Sequence, residues 1–209
     1  MRWLAILILT ASLAQADGDD AGAFDYYVLS LSWTPTWCAL EERNRKEPQC
    51  DPDKGFGWVL HGLWPQYEQG WPSYCRTSVA NPSRAETAAM ADIMGSRGQA
   101  WYQWKKHGRC SGLSAKEYFA AAREAYESVT MPKSFNALPK PIKLPAALVE
   151  EAFLQANPGW RPDMLTITCK AGRIYEARLC LTRDLKPRLC GEDVVDDCDS
   201  RNALLDPIR

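Results

Sequence analysis

Two histidines, His61 and His107, are the only imidazoles in the 209-residue chain, and their surroundings allow acid–base chemistry. His61 lies in F-G-W-V-L-H-G-L-W-P-Q, and His107 lies in W-Y-Q-W-K-K-H-G-R-C. Because imidazole titrates near neutral pH, a pair of histidines can serve as base and acid in one reaction. Glycine follows each histidine, so we expect one side of each ring to be open to a ligand. A single histidine more often has a structural role.

The residues before His107 add an amide and a cation. If the segment is helical, Gln103, Lys106 and His107 fall at i, i+3 and i+4, on one face. Lys106 could stabilise negative charge that develops in a reaction, although surface lysines are more often simply solvated. Tyr102 could reach a phosphate with its hydroxyl group, or could simply pack.

The residues after His61 could contact a base. Trp64 could be a stacking platform, and Gln66 could hydrogen-bond a base edge. Tryptophan is most often a core residue and glutamine a surface residue, so these roles compete with ordinary structural ones.

Other catalytic chemistries have little support. The chain has no G-x-S-x-G motif of serine hydrolases. Glycosidases need two inward carboxylates, whereas Glu117, Glu150 and Glu151 are expected on helix surfaces. There is no C-x-x-C pair, and neither histidine has a second one at ligand spacing, so we expect no metal and no other cofactor.

The amino terminus predicts export. Arg2, an apolar run over residues 4–13 and Ala14-Gln15-Ala16 have the pattern of a secretory signal peptide, residues 1–16, cut after Ala16. No later stretch is long enough to span a membrane. Residues 17–209 suffice for one domain with a core, and we expect it to be a monomer.

The eight cysteines indicate four disulfides in an oxidising compartment, secreted or periplasmic. The loop over residues 38–57 is expected to be closed by Cys38–Cys50. The net charge of −1 gives no overall basic field, so contact with nucleic acid would be local, as for a substrate.

The hydrophobic patterns predict strands and helices in mixed order. Strands are expected over residues 24–33 and 56–62, with His61 near the end of the second. Helices are expected over 84–94, 99–107, 115–129 and 145–156, and a hairpin over 164–170 and 173–181. Ala88, Met90, Ala91 and Met94 are expected to face the core, and Trp101 and Trp104 to form a buried stripe.

Without regular βαβ alternation, these elements favour a single α+β domain with a mainly antiparallel central sheet and flanking helices. The hairpin register places Cys169 opposite Ile174, so Cys169 and Cys180 should not pair with each other. The tail from residue 185 onward is expected to be irregular.

Two motifs resemble the ribonuclease T2 family of secreted ribonucleases. These are H-G-L-W-P-Q at residues 61–66 and W-K-K-H-G-R-C at 104–110, and L-S-L-S-W-T-P-T-W-C in the first strand adds to the resemblance. The likeness covers most of the chain after the signal peptide. It implies metal-free endonucleolytic cleavage of single-stranded RNA through a 2′,3′-cyclic phosphate, with little base preference.

The resemblance also implies residue roles. His107 would be the base, His61 the acid and Lys106 the charge stabiliser, while Trp64 would bind substrate. The implied disulfides are Cys75–Cys110, Cys169–Cys198 and Cys180–Cys190.

The chain departs from the family pattern at three positions, and at one of them Arg109 stands where threonine is usual. The family segment H-E-W-x-K-H-G-T-C reads Y-Q-W-K-K-H-G-R-C here, so Tyr102 replaces a phosphate-binding histidine and Gln103 an acidic residue. We predict a slower but active enzyme with a less acidic pH optimum. Two alternatives remain: a ribonuclease fold kept for RNA binding or regulation, and a secreted disulfide-rich interaction protein.

Overall fold

A computed structural model describes residues 19–40, 46–194 and 198–208, so the predicted signal peptide lies outside the described residues. The strands are β1 (Tyr26–Trp33), β2 (Trp58–Gln66), β3 (Ile142–Leu144), β4 (Leu165–Lys170), β5 (Arg173–Leu181) and β6 (Ala203–Leu205). The helices are α1 (Thr34–Leu40), α2 (Arg84–Ala88), α3 (Ala91–Met94), α4 (Arg97–Lys106), α5 (Ala115–Glu127) and α6 (Ala146–Ala156).

The strands form one six-stranded sheet in the order β2-β1-β5-β6-β3, and β4 pairs with β5 beside this path. Every pairing is antiparallel except a short parallel contact between β5 and β6. The predicted single α+β domain with a mainly antiparallel central sheet is therefore confirmed.

Strand β1 is the centre of the core. All eight of its residues are buried, because β2 and β5 pair with its two edges and other elements cover its two faces. Tyr27, Leu29, Leu31 and Trp33 point into the main apolar core, whereas Tyr26 and Val28 join a smaller cluster on the opposite face. This is the predicted alternation, and the second face is the one that carries the candidate site.

Two of the predicted elements differ in extent. Strand β2 continues to Gln66, so His61 lies in its middle rather than near its end. The predicted helix over residues 84–94 is two short helices, α2 and α3. Met90 and Met94 are buried as expected, but Ala88 is exposed because it lies on the outer side of α2.

The predicted Trp101–Trp104 stripe is wrong for Trp101. Trp104 is fully buried, whereas Trp101 is 41% exposed. Residues three apart lie about 60° from each other around a helix, so α4 can bury Trp104 at the centre of its packed face and leave Trp101 at the rim.

Four disulfides hold the loops to this framework. They join Cys38 to Cys50, Cys75 to Cys110, Cys169 to Cys198 and Cys180 to Cys190, and no cysteine is free. These are the pairs named from the loop and from the family resemblance. The last two attach the tail to the β4–β5 hairpin, where Cys169 lies opposite Ile174 as the turn predicts.

Candidate active site

A cleft of about 360 Å³ lies between α4 and the second face of the sheet, and it brings together every predicted site residue. These are His61, Trp64, Gln66, Tyr102, Gln103, Lys106 and His107. Glu176 and Arg178 of β5 line the same cleft, and the sequence reasoning missed both. The sequence feature that could have revealed them is the presence of two charged residues at alternate positions of an otherwise largely apolar strand.

A bulge in β2 places His61 in the cleft. Ser30 of β1 pairs with Gly62, but the next residue, Leu31, pairs with Leu60, so His61 is an extra residue with no partner on β1. Such an insertion bends the strand and re-aims a side chain. Tyr175 is an extra residue of the same kind in β5, and it also lines the cleft.

The buried carboxylate of Glu176 holds the imidazole of His61. The Nδ1 atom of His61 lies 2.5 Å from Oε1 of Glu176, whose side chain is 2% exposed. The second carboxylate oxygen accepts hydrogen bonds from Nε and Nη2 of Arg178, at 3.1 and 2.9 Å. Burial alone would raise the pKa of Glu176, but the charges and hydrogen bonds of His61 and Arg178 outweigh it and lower the pKa. The carboxylate is therefore ionised.

His107 has the opposite environment. It is the residue at which α4 ends, and its backbone N–H donates to the carbonyl oxygen of Gln103 at 2.9 Å. Its side chain is buried and its Nδ1 has no hydrogen-bond partner among the described residues. Burial first, and then the charges of Lys106 and His61, lower the pKa of His107 to about 3. The ring is therefore neutral over most of the acidic and neutral pH range.

Trp64 contacts both imidazoles. Its ring stacks on His107, with centroids 5.1 Å apart and an interplanar angle of 28°. It meets His61 edge-on, with centroids 5.2 Å apart. The indole Nε1 donates to Oε1 of Gln103 at 2.8 Å. Because an indole N–H can only donate, the carbonyl side of the Gln103 amide must face Trp64, and its NH₂ group points away.

The glycines after the histidines leave room for neighbouring side chains to pack closely. A Cβ atom on Gly62 would lie 2.4 Å from Nε1 of Trp64 and 2.6 Å from Oε1 of Gln103. A Cβ atom on Gly108 would lie 2.7 Å from Cε1 of Tyr118. Gly62 therefore allows Trp64 and Gln103 to meet over the strand, which is a different role from the expected one.

The remaining site residues lie at the rim or floor of the cleft. Tyr102 is 45% exposed, and its hydrogen bond to Tyr74 raises the pKa of Tyr74. Gln66 is buried, and its Nε2 donates to the carbonyl oxygen of Pro65 at 3.0 Å. Lys106 is partly buried, and its carbonyl oxygen accepts from the N–H of Tyr74 at 2.8 Å. That bond lies next to the Cys75–Cys110 disulfide, so the loop over residues 67–81 is fixed to the end of α4.

Across residues 19–40, 46–194 and 198–208, no three side chains of His, Cys, Asp or Glu are grouped as metal ligands. None of the helices in these ranges has the length and hydropathy that crossing a bilayer requires.

Comparison with known proteins gives consistent results. The model of the "Ribonuclease T2 family" matches residues 24–190. A ribonuclease of Aeromonas hydrophila is 42% identical over 114 residues, which are 54% of this chain and 50% of that protein. Ribonuclease I of Escherichia coli is 31% identical over 158 residues, 56% of this chain and 59% of that protein. The chain thus matches about half the length of these curated relatives.

Solved structures show the same fold. An RNase-related protein from Calystegia sepium superposes with a TM-score of 0.65 at 19% identity, covering 88% of this chain and 96% of that one. RNase NT in complex with 5′-AMP superposes with a TM-score of 0.60 at 19% identity, covering 86% and 97%.

Proposed function

Because the chain belongs to the ribonuclease T2 family, we propose that it is an endoribonuclease that cleaves single-stranded RNA through a 2′,3′-cyclic phosphate, with little base preference. One observation carries the proposal: two imidazoles in opposite electrostatic environments face one cleft, 5.1 and 5.2 Å from the same indole ring. The reaction needs a base for the 2′-OH, an acid for the 5′-oxygen and a donor for the charged phosphorane.

His107 is the proposed base. A base must be unprotonated before the reaction, and the pKa of His107 is lowered to about 3 by burial and by the charges of Lys106 and His61. The neutral ring accepts the proton of the 2′-OH as the oxygen attacks phosphorus. The stacked Trp64 ring holds the imidazole plane during this step.

His61 is the proposed acid, and Glu176 positions it. Because Nδ1 of His61 is hydrogen-bonded to an ionised carboxylate, Nε2 is the ring nitrogen left to act on the substrate. The carboxylate also stabilises the imidazolium form, which must exist before the reaction if the ring is to protonate the 5′-oxygen. Arg178 fixes the carboxylate in turn.

Lys106 and Gln103 are the proposed contacts to the phosphorane. The ammonium group of Lys106 supplies the positive charge that the extra negative charge of the transition state requires. The NH₂ group of Gln103 points away from Trp64 and can donate to a phosphate oxygen. Gln103 therefore retains hydrogen bonding without contributing a negative charge to the site.

Substrate binding is shared by Trp64, Tyr102 and Gln66. The two imidazoles already contact the Trp64 ring. We therefore propose that Trp64 mainly positions the imidazoles and that only its open edge contacts the substrate. Tyr102 and the 56% exposed Trp71 offer freer rings at the cleft for a base. The cleft is complete within one chain, and we propose that the protein acts as a monomer without metal.

We further propose that the protein is exported through a signal peptide cut after Ala16, and that it works in the periplasm or outside the cell. Four disulfides support an oxidising compartment. Sequencing the amino terminus of the exported protein tests this directly, and the expected first residue is Asp17.

The activity is tested with purified protein, single-stranded RNA and EDTA. Wild-type protein should produce fragments with 2′,3′-cyclic phosphate ends, and His61→Ala and His107→Ala should each lose most of this activity. Lys106→Ala should be slow, whereas Lys116→Ala, on the exposed side of α5, should match the wild type. Absence of cleavage by the wild type from pH 4 to 8 would leave an RNA-binding or interaction role in its place.

A further inference from the structure

A second open pocket, of about 390 Å³, lies beside the first turns of α4 and shares no lining residue with the cleft. Its walls come from the start of α2 and the first turns of α4. The lining residues are Pro82, Arg84, Thr87, Arg97, Gly98 and Trp101. Neither the proposed mechanism nor the family resemblance uses any of these residues.

Trp101 gives this pocket a flat apolar surface. Its side chain is 41% exposed, although its neighbour Trp104 on the same helix is fully buried. Leaving so much of an indole in water forgoes the free energy that burial would supply. An exposed aromatic ring fixed on a helix is the kind of surface on which bases stack in proteins that bind single strands.

Two arginines make the pocket positive. Arg84 and Arg97 are exposed, and neither forms an ion pair with a carboxylate of the described residues. Glu86, the acidic residue of α2, is engaged in the capping box with Ser83. The chain has a net charge of −1. Two arginines beside an exposed indole therefore form a local site that suits a nucleotide, with the arginines for its phosphate and the indole for its base.

One row of residues along α4 links the pocket to the cleft. Gly98, Tyr102 and Lys106 follow each other at intervals of four residues, so they form one row along α4. Tyr102 and Lys106 line the cleft, and Gly98 lines the second pocket. A Cβ atom on Gly98 would meet only Oγ of Ser96, at 3.7 Å, so no bulky group stands at this end of the row. The row spans about 12 Å along the helix axis.

We propose that this pocket is a second RNA-binding site for a nucleotide outside the scissile pair, in which a base stacks on Trp101 and Arg84 and Arg97 contact flanking phosphates. The inference rests on the proposed ribonuclease function. It implies that substrates long enough to reach from the cleft over Gly98 bind more tightly than a dinucleotide.

The test compares substrates that differ only in length. DNA strands with a single ribonucleotide are cleaved only at that position, because the reaction needs the 2′-OH. One substrate is a dinucleotide, and two longer ones extend it by eight nucleotides on the 5′ or the 3′ side. The variants are Trp101→Ala, Arg84→Ala with Arg97→Ala, and the control Leu148→Ala, which removes an exposed apolar side chain of α6.

Trp101→Ala should raise KM for one of the two extended substrates by roughly 5- to 100-fold, the range for one lost base–aromatic stack, while kcat and all dinucleotide kinetics stay unchanged. Trp101→Phe should restore part of the loss, and Leu148→Ala should change nothing. An equal KM change for dinucleotide and extended substrates, or no change for either extension, would overturn the proposal.

Binding gives a readout that does not depend on cleavage. An all-DNA strand of ten nucleotides, followed by fluorescence anisotropy, should bind more weakly to the double arginine variant, and the slope of log affinity against log salt should fall by about 1.4, from two lost phosphate contacts. An unchanged slope would show that Arg84 and Arg97 make no phosphate contacts. A wild-type protein that binds this strand but cleaves no RNA would refute the ribonuclease proposal and leave the binding site standing.

Discussion

His61 and His107 are the same residue type in opposite surroundings, and that difference favours their assignment to opposite roles. His61 contacts a buried, ionised carboxylate, which stabilises a proton on the ring. His107 is buried beside Lys106, and its pKa is lowered to about 3. A carboxylate contact at one ring and burial beside a cation at the other suit an acid and a base, respectively. The reverse assignment would need an acid that is unprotonated above about pH 3.

Replacing Glu176 with glutamine tests its positioning role. Glu176→Gln removes the negative charge beside Nδ1 of His61, so the His61 ring should be held less firmly in the orientation that an acid needs. We expect kcat on RNA to fall roughly 10- to 100-fold, as for other partners that orient a functional histidine. KM should change little, because Glu176 lies behind the ring and is buried.

A second substrate separates this effect from general damage. A nucleoside 3′-phosphodiester with a nitrophenolate leaving group needs no protonation by an acid. Glu176→Gln and His61→Ala should therefore retain most activity on it, while His107→Ala should not. Glu124→Gln, an exposed residue of α5, is the matched control. Equal losses of Glu176→Gln on both substrates would show that Glu176 is merely structural.

Replacing Gln103 with glutamate tests the main departure from the family pattern. A carboxylate can still accept the hydrogen bond from Nε1 of Trp64, and its charge would raise the pKa of His107 from about 3. A stronger base that is still unprotonated at pH 6 should raise kcat up to about tenfold per unit of pKa. The acid limb of the pH profile should move to higher pH.

The lowered pKa of His107 reverses the pH dependence expected from the sequence. A less acidic optimum was expected for Gln103, but a base whose pKa is about 3 stays active at lower pH, so the wild type should keep its activity further into acid. The pH–rate profiles of wild type, Gln103→Glu and the exposed control Gln155→Glu decide this. A wild-type acid limb near pH 6 would contradict the lowered pKa of His107.

At the scale of elements, Gly62 and Gly108 each let neighbouring side chains pack closely, Gly62 at the cleft and Gly108 in the core. Gly62→Ala would press on Trp64 and Gln103, both at the cleft, whereas Gly108→Ala would press on Tyr118 in the core. We expect Gly62→Ala to lower kcat more than stability, because Trp64 and Gln103 can shift into the cleft. Gly108→Ala should cost about 1–3 kcal/mol of unfolding free energy, as overpacking does. Urea unfolding and kcat of both variants test the contrast, and the reverse ranking would contradict it.

The elements also show what local patterns can and cannot predict. The capping box at Ser114, the hairpin at residues 171–172 and the face of α4 that carries Gln103 and His107 depend on neighbours within four residues, so the sequence predicts them. The bulge at His61 depends on how β1 pairs with a distant strand, and so does the extension of β2 to Gln66. Three-residue strands such as β3 have too short a pattern to detect.

The role of Glu176 could not be predicted from local patterns because it also depends on strand pairing. Its role requires knowing that β5 pairs with β1 on the side opposite β2, which places its carboxylate across from His61. Residues near the histidines in sequence, such as Lys106 and Trp64, could be predicted from the motifs. A partner 115 residues away could not be, because only the sheet order brings it close.

At the scale of the whole molecule, the four disulfides are expected to supply stability comparable to that of the entire fold. They close loops with sequence separations of 12, 35, 29 and 10 residues. Loops of this size are each worth about 3–4 kcal/mol, so together they contribute on the order of 10 kcal/mol, similar to the total stability of a domain. The fold should therefore depend on its redox environment.

Reduction tests this dependence. With a strong reductant at 37 °C, we expect the far-ultraviolet circular dichroism of the native state and the ribonuclease activity to be lost together, and both to return on reoxidation. The paired variant Cys38→Ala with Cys50→Ala is the graded control. Neither cysteine lines the cleft, so this variant should lower Tm while leaving kcat unchanged. The corresponding Cys75 and Cys110 pair should lower both, because that disulfide fixes the end of α4 beside His107. A reduced protein that melts within a few degrees of the oxidised one would show that packing of the sheet alone maintains the site.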